Sequence, residues 1–220
     1  MFFFGTIIKC DIFCHPHHTQ KTSAYTCRSG RLLPCCTMND SFFDTVKLLA
    51  ASLLCRILRM LSPRLRQQLA DLTAIPSVTC TIQAQDMSNL PVIARLAEWF
   101  ETAGFSCEII PVAAGKANLV AVRTANNPNA QGGLVLAGHT DTVPCEPQLW
   151  QTDPFRMVER DGKLYGLGIA DMKSFFALSL EAAKVFAKTP FKAPLISVAT
   201  CDEETSMAGA KALLQHAKAK

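Results

Sequence analysis

Long apolar runs are missing from this 220-residue sequence. The stretch LLAASLLC between Lys47 and Arg56 falls far short of the roughly 18–20 apolar residues that cross a bilayer, so no membrane segment is expected. The start, MFFFGTIIKCD, has no positively charged leading region and is interrupted by Lys9 and Asp11, which makes it a poor secretory signal. An excess of one charge is missing from the body: residues 60–220 hold fifteen Lys or Arg and fifteen Asp or Glu. The net charge of +4 therefore resides in residues 1–59, and the body has no basic footprint for nucleic acid. Paired cysteine spacing is missing too. Six of the ten cysteines precede Met60, and Cys80, Cys107, Cys145 and Cys201 stand singly, as in a reduced, cytoplasmic protein. No internal repeat or low-complexity tract is present.

What is present reads as one globular domain with a substantial core, the sequence being 49% hydrophobic. Residues 1–59 match the body in neither charge nor composition, and 1–37 show no sustained period; an unstructured or mis-started extension is expected there, and the folded part over 60–220. Ser62-Pro63 pairs an N-cap with proline at the first helical position, and Leu65, Leu69 and Leu72 form one apolar stripe on a helix ending near Ile75-Pro76. A second helix is expected over 89–103, with Val92, Ile93, Leu96, Ala97 and Phe100 on one face and Gly104 as its stop. Strands are expected over 105–112, 118–123, 133–138, 163–165 and 195–200, and helices over 172–188 and from about Thr205. Helices alternating with apolar strands predict an α/β fold, a sheet layered by helices.

Three segments place acidic or imidazole groups just after a strand or at the start of a helix, where open α/β sheets bind ligands. In His139-x-Asp141 the two side chains point to the same side of an extended chain, so the carboxylate can orient the imidazole of a metal ligand. Taken alone, an ordinary surface turn is the plainer reading. The run from Gly166 to Lys173 begins like a dinucleotide fingerprint but places Asp171 where the third glycine belongs, and an anion there would repel pyrophosphate. A carboxylate on a glycine-rich turn suits a cation instead and can bridge two; the plainer alternative is an N-cap for the Met172 helix. Glu203 and Glu204 stand side by side at a strand end, where one can bind metal and the other can move protons; a solvated acidic turn before a helix is the plainer alternative. The coincidence of all three, in order on successive strand or helix edges, favours the chemical reading.

These residues resemble the metallo-aminoacylase and carboxypeptidase superfamily, and within it the acetylornithine deacetylases, over about 60–220. The stretches that carry the resemblance are AGHTDTVP (137–144), Trp150 to Phe155, DGKLYGLGIADMK (161–173) and ATCDEETSMAGAK (199–211). Ser174 departs from the glycine common after Asp-Met-Lys, a change a helix accommodates. The resemblance implies a two-metal exopeptidase-like catalytic domain in which His139 binds one metal, Asp171 bridges both and Glu204 binds the other. It assigns Asp141 to orienting His139 and Glu203 to the general base. It implies two zinc ions, for which cobalt may substitute, a small N-acyl amino acid substrate, and a homodimeric full-length protein that hydrolyses N-acetylornithine in arginine biosynthesis. Succinyl-diaminopimelate desuccinylases and dipeptidases of the superfamily are the near alternatives. Members also supply a further carboxylate and a late histidine, with a dimerisation domain between, and these are not found before Lys220. His216 is expected to face solvent.

Three rival readings remain: a truncated, non-catalytic product; a metal module built on Cys10, Cys14, His15, His17 and His18; and a thiol hydrolase pairing Cys145 with His139. The module lacks the paired spacing of structural zinc sites, and carboxylates around Cys145 would raise rather than depress a thiol pKa. With two protein ligands per metal, one of them shared, the 220-residue chain alone is expected to bind metal weakly and turn over nothing; deacetylation by the pure chain would contradict this.

Overall fold

The computed structural model describes residues 62–127 and 132–219. The extension read over 1–59 and its Cys/His cluster lie outside the described residues. The first helix, α1 (Pro63–Ala74), starts where the sequence predicts, with the Ser62 hydroxyl accepting from the Leu65 amide at 3.1 Å. Leu65, Leu69 and Leu72 are all buried. Helix α2 (Leu90–Thr102) buries Val92, Ile93, Leu96, Ala97 and Phe100 as one stripe. Gly104, at φ 84, supplies the left-handed stop that a residue with a Cβ would resist.

Strands β1 (Ser106–Ala113), β2 (Lys116–Arg123) and β3 (Leu134–His139) follow, then the short hairpin β4 (Val158–Arg160) and β5 (Lys163–Tyr165). Helix α3 (Ser174–Val185), strand β6 (Leu195–Thr200) and helix α4 (Ala208–Ala219) complete the order. The main sheet runs β1-β2-β6-β3, antiparallel at the first two pairings and parallel between β6 and β3, so the fold is mixed α/β. Among the described residues no helix is long and apolar enough to cross a membrane.

Side chains alternate across β2 with the strand's period of two. Leu119 and Ala121 join the core formed by α1, α2 and α3, centred on Leu72, Phe100, Phe176 and Leu180. Asn118 points the other way, donating to the Gly209 carbonyl of α4 at 2.8 Å and accepting from the Cys201 amide at 3.1 Å. The start of α4 is thereby fastened to β2 and to the end of β6.

Two of the boundaries that differ from expectation matter to the site. Helix α3 begins at Ser174, two residues late, with Lys173 as its N-cap residue, so Asp171 does not serve as its cap. Helix α4 begins at Ala208 rather than near Thr205, because Asp202 and Met207 both adopt left-handed backbone, with φ 55 each, and set a turn between β6 and the helix. Glu203 and Glu204 sit in that turn rather than at the strand end.

Gly209 leaves no room for a larger residue: a Cβ there would lie 2.5 Å from the Cys201 carbonyl oxygen and 2.6 Å from Asn118 Oδ1. Gly209→Ala is therefore expected to destabilise the fold by about 1–3 kcal/mol, the usual cost of forced overpacking. A lowered urea midpoint at unchanged slope would show this, and an unchanged midpoint would refute it.

Candidate metal centre

His139 is the last residue of β3 and lies opposite Thr200, the last of the parallel strand β6, so both strands deliver their following residues to the same end of the sheet. The chain beyond His139 is tied down by buried hydrogen bonds. The Thr140 amide and hydroxyl both donate to the Thr200 carbonyl, at 2.9 and 3.0 Å, and the Asn89 amide donates to that hydroxyl at 2.8 Å. The Ser77 hydroxyl donates to the Thr140 carbonyl at 2.7 Å. The Thr142 amide donates to the Ser77 carbonyl and the Thr79 amide to the Thr142 carbonyl, at 3.1 and 2.9 Å. Asn89 precedes α2 without capping it by its side chain; its amide group instead bonds β2 at Ala117 and the chain beside His139.

The buried His139 ring lies between two acidic segments. Nδ1 is 3.0 Å from the Asp141 carbonyl oxygen, and Nε2 is 3.2 Å from Asp171 Oδ1 and 3.9 Å from Glu203 Oε2. Ligand atoms of His139, Glu203 and Glu204 all lie within 4.8 Å of one another. The carboxylate of Asp141 is not the close partner of the ring, standing 3.6 Å from Nδ1. It is turned toward the carboxylate-bearing loop, where Oδ2 accepts from the Glu204 amide at 3.0 Å while the buried Oδ1 has no hydrogen-bond partner. Asp141 thus joins His139, through its carbonyl, to Glu204, through its carboxylate.

Asp171 reaches the ring from a turn whose peptide to Met172 is cis. The turn closes on Lys173, whose amide donates to the Gly168 carbonyl at 2.8 Å and whose ammonium donates to the Ile75 carbonyl at 2.9 Å. Gly168 has φ 80, and a Cβ there would lie 2.6 Å from Lys173 Cε and 2.8 Å from Thr142 Cγ2. The glycine is needed both for conformation and for close approach. Burial pulls the Lys173 ammonium down to about 8. Its structural part was not read from the sequence, although a lysine opening an apolar helix was a visible signal.

The electrostatics describe a site short of positive charge. Burial works against the charged His139 ring, but the nearby carboxylates of Asp141, then Glu203 and Asp171, outweigh it and hold the ring up to about 9. Burial also raises Glu204, and neighbouring Asp171, Glu203 and Asp141 raise it further against the opposing effect of His139. Asp141 is lowered: burial opposes its charge, but the His139 contact and the Glu204 and Glu203 amides prevail. Among the described residues no Lys or Arg pairs with Asp171, Glu203 or Glu204. An imidazole nitrogen facing several carboxylate oxygens is a donor set that fits zinc or a similar divalent ion.

The rival groups fall elsewhere. Both ring nitrogens of His139 are taken by Asp141 and Asp171, so neither is directed at Cys145. His216 does not face open solvent but pairs with Glu108 of β1 at 3.0 Å, because α4 packs on β1 and β2. Cys80, Cys107, Cys145 and Cys201 are free thiols.

Residues 135–220 match the model of peptidase family M20/M25/M40. The fold is shared with solved peptidases. Human carnosine dipeptidase 1 superposes with a TM-score of 0.62 at 19% identity, covering 77% of this chain and 38% of that one. The di-peptidase Dug1p from Saccharomyces cerevisiae gives a TM-score of 0.58 at 17% identity, covering 76% and 37%. The M20 family metallo-carboxypeptidase Sso-CP2 from Sulfolobus solfataricus gives 0.56 at 21%, covering 65% and 32%. This chain thus spans well under half the length of these structures.

The raised His139 fixes a pH dependence. Its folded value of about 9 lies above the ordinary 6.5, so protonation stabilises the metal-free fold fully below about pH 6.5, and that contribution fades as pH rises through about 9. A cation at Nε2 must displace the proton. Zinc affinity is therefore expected to rise about tenfold per pH unit between about pH 7 and 9 and then to flatten. Calorimetry in buffers of different ionisation enthalpy checks this by counting about one proton released in wild type and none from His139→Gln. A flat profile would contradict it.

Proposed function

We propose that this chain belongs to a divalent-metal-dependent amide hydrolase of the M20 kind, and that the intact protein removes the acetyl group from N-acetylornithine, giving ornithine and acetate, in arginine biosynthesis. The observation that carries the reading is the convergence of Asp171, Glu203 and Glu204 on the buried His139 with no countering ammonium or guanidinium among the described residues. The match of residues 135–220 to the peptidase family model supports it. In this reading His139, Asp171 and Glu204 would hold the metal, taken as two zinc ions that cobalt may replace, with Asp171 serving both. A divalent ion bound there would supply Lewis acidity and lower the pKa of water.

The chain's own residues do the rest. Asp141 presents its carbonyl to Nδ1, which leaves the Nε2 lone pair free to ligate once the ring is neutral. The Glu203 side chain, about half exposed beside that nitrogen, takes a proton from the attacking water and returns it to the departing amine nitrogen. Water adds across the amide, the C–N bond breaks, and carboxylate and amine leave.

The same reading takes residues 60–220 as the amino-terminal part of the catalytic domain, residues 1–59 as an extension, and the whole protein as a cytoplasmic homodimer. The run DEETSMAGA favours N-acetylornithine as substrate. A dipeptide substrate is the second reading, favoured by the names of the structural neighbours, two of which are dipeptidases.

The test is hydrolysis of N-acetylornithine and of dipeptides by the longest product of the reading frame, with zinc or with chelator. Release of acetate that stops on chelation is expected, and chelator-insensitive hydrolysis would overturn the metal reading. Turnover of dipeptides alone would move the substrate to the second reading. Glu203→Gln should lower kcat by about 10²–10⁴ while zinc stays bound; a variant retaining wild-type kcat would remove Glu203 from the role of base.

A further inference from the structure

The turn carrying Glu203 and Glu204 is held from behind by a charge cluster around the buried Lys116 that no catalytic role uses. Asp202, which opens the turn, sits at φ 55, a conformation that a non-glycine residue keeps only where its surroundings impose it. Its Oδ1 accepts from Lys116 Nζ at 3.0 Å and from the Thr79 hydroxyl at 2.9 Å, while its carbonyl closes the turn by accepting from the Met207 amide at 2.7 Å. Lys116, the first residue of β2, is only 5% exposed and also donates to Asp86 Oδ1 at 2.8 Å. Asp86 in turn accepts from the Cys80 amide at 3.0 Å. Three segments far apart in sequence, 79–86, 116 and 202, therefore meet around one ammonium, which pairs with Asp86 and Asp202. The carboxylates of Glu203 and Glu204 lie on the far side of the turn, toward His139.

We propose that Lys116, acting through Asp202, is a positioning residue that sets where Glu203 and Glu204 stand relative to His139. Without the ammonium, Asp86 and Asp202 would face each other as partly buried like charges, and the turn must give way, since among the described residues neither carboxylate pairs with another Lys or Arg. Position and simple charge predict opposite results. Removing a positive charge near an anionic cluster should, by Coulomb attraction alone, tighten cation binding; a displaced turn should loosen it. The functional consequence rests on the metal-hydrolase reading, whereas the placement of the turn does not.

The test compares the metal-free wild-type chain with Lys116→Met by amide hydrogen exchange, followed by zinc titration. Exchange at Glu204 and Met207 is expected to accelerate at least about tenfold in the variant, with α2 and the β2–β6 ladder unchanged. Zinc affinity is expected to fall by about tenfold or more. Unchanged exchange in 202–207, or zinc binding as tight as or tighter than wild type, would overturn the proposal. Should Lys116→Met fail to fold, Thr79→Val, which removes the other donor to Asp202 with little change of shape, decides by the same exchange measurement, with an acceleration of about threefold expected. A wild-type chain that binds no zinc would defeat the metal reading and leave exchange to decide the placement of the turn.

Discussion

Four carboxylates, those of Asp141, Asp171, Glu203 and Glu204, crowd one buried imidazole, and the local structure is shaped by what that crowding costs. Burial raises the proton affinity of Glu204 and like charges this close raise it further, and the ring is driven to hold a proton well above its ordinary range. A proton is a poor substitute for a divalent ion in such a place. Glu203 stays exposed and Glu204 half-buried, so solvent limits the repulsion, whereas the buried Asp141 is compensated by the ring and by backbone amides. The most natural relief for the whole set is a cation with the ligand preferences of zinc.

Holding such a set in place requires a frame that does not depend on the charges themselves. The parallel pairing of β3 with β6 brings His139 level with Thr200, and the hydrogen bonds among Asn89, Thr140, Ser77 and Thr79 fix the chain beyond it. Glycine and Lys173 set the Asp171 turn, and Asn118 with Gly209 fixes the start of α4 beyond the Glu203 turn. Each acidic segment is thus anchored by polar groups that face away from the cluster. This separation of anchoring from chemistry is what a preorganised site needs.

Much of this was legible in the sequence where period and punctuation were strong. The Leu65, Leu69, Leu72 stripe and the run from Val92 to Phe100 specified their helices, because spacings of three and four residues leave little alternative. The His139, Asp171 and Glu203 side chains, picked out on chemical grounds, are brought into contact. Other features were not legible. The turn at 202–207 depends on two residues in left-handed backbone, and neither Asp202 nor Met207 advertises that conformation as glycine would. Asp141 was read through its side chain alone: the carboxylate does stand 3.6 Å from Nδ1, but its carbonyl lies nearer at 3.0 Å, and the bond its carboxylate accepts from the Glu204 amide, sixty-three residues away, left no local signal. Lys116 and Asp86 carried no local signal at all, since a partly buried ion pair exists only once distant segments have met.

The most direct test of the account is where a metal goes. Crystals of the chain grown with zinc, with anomalous differences recorded across the zinc edge, should show a peak about 2.0–2.2 Å from His139 Nε2 and from carboxylate oxygens of Asp171 or Glu204. A peak at some other cluster, or no peak at a zinc concentration that saturates binding, would contradict the claim that these acidic groups are gathered to hold a cation.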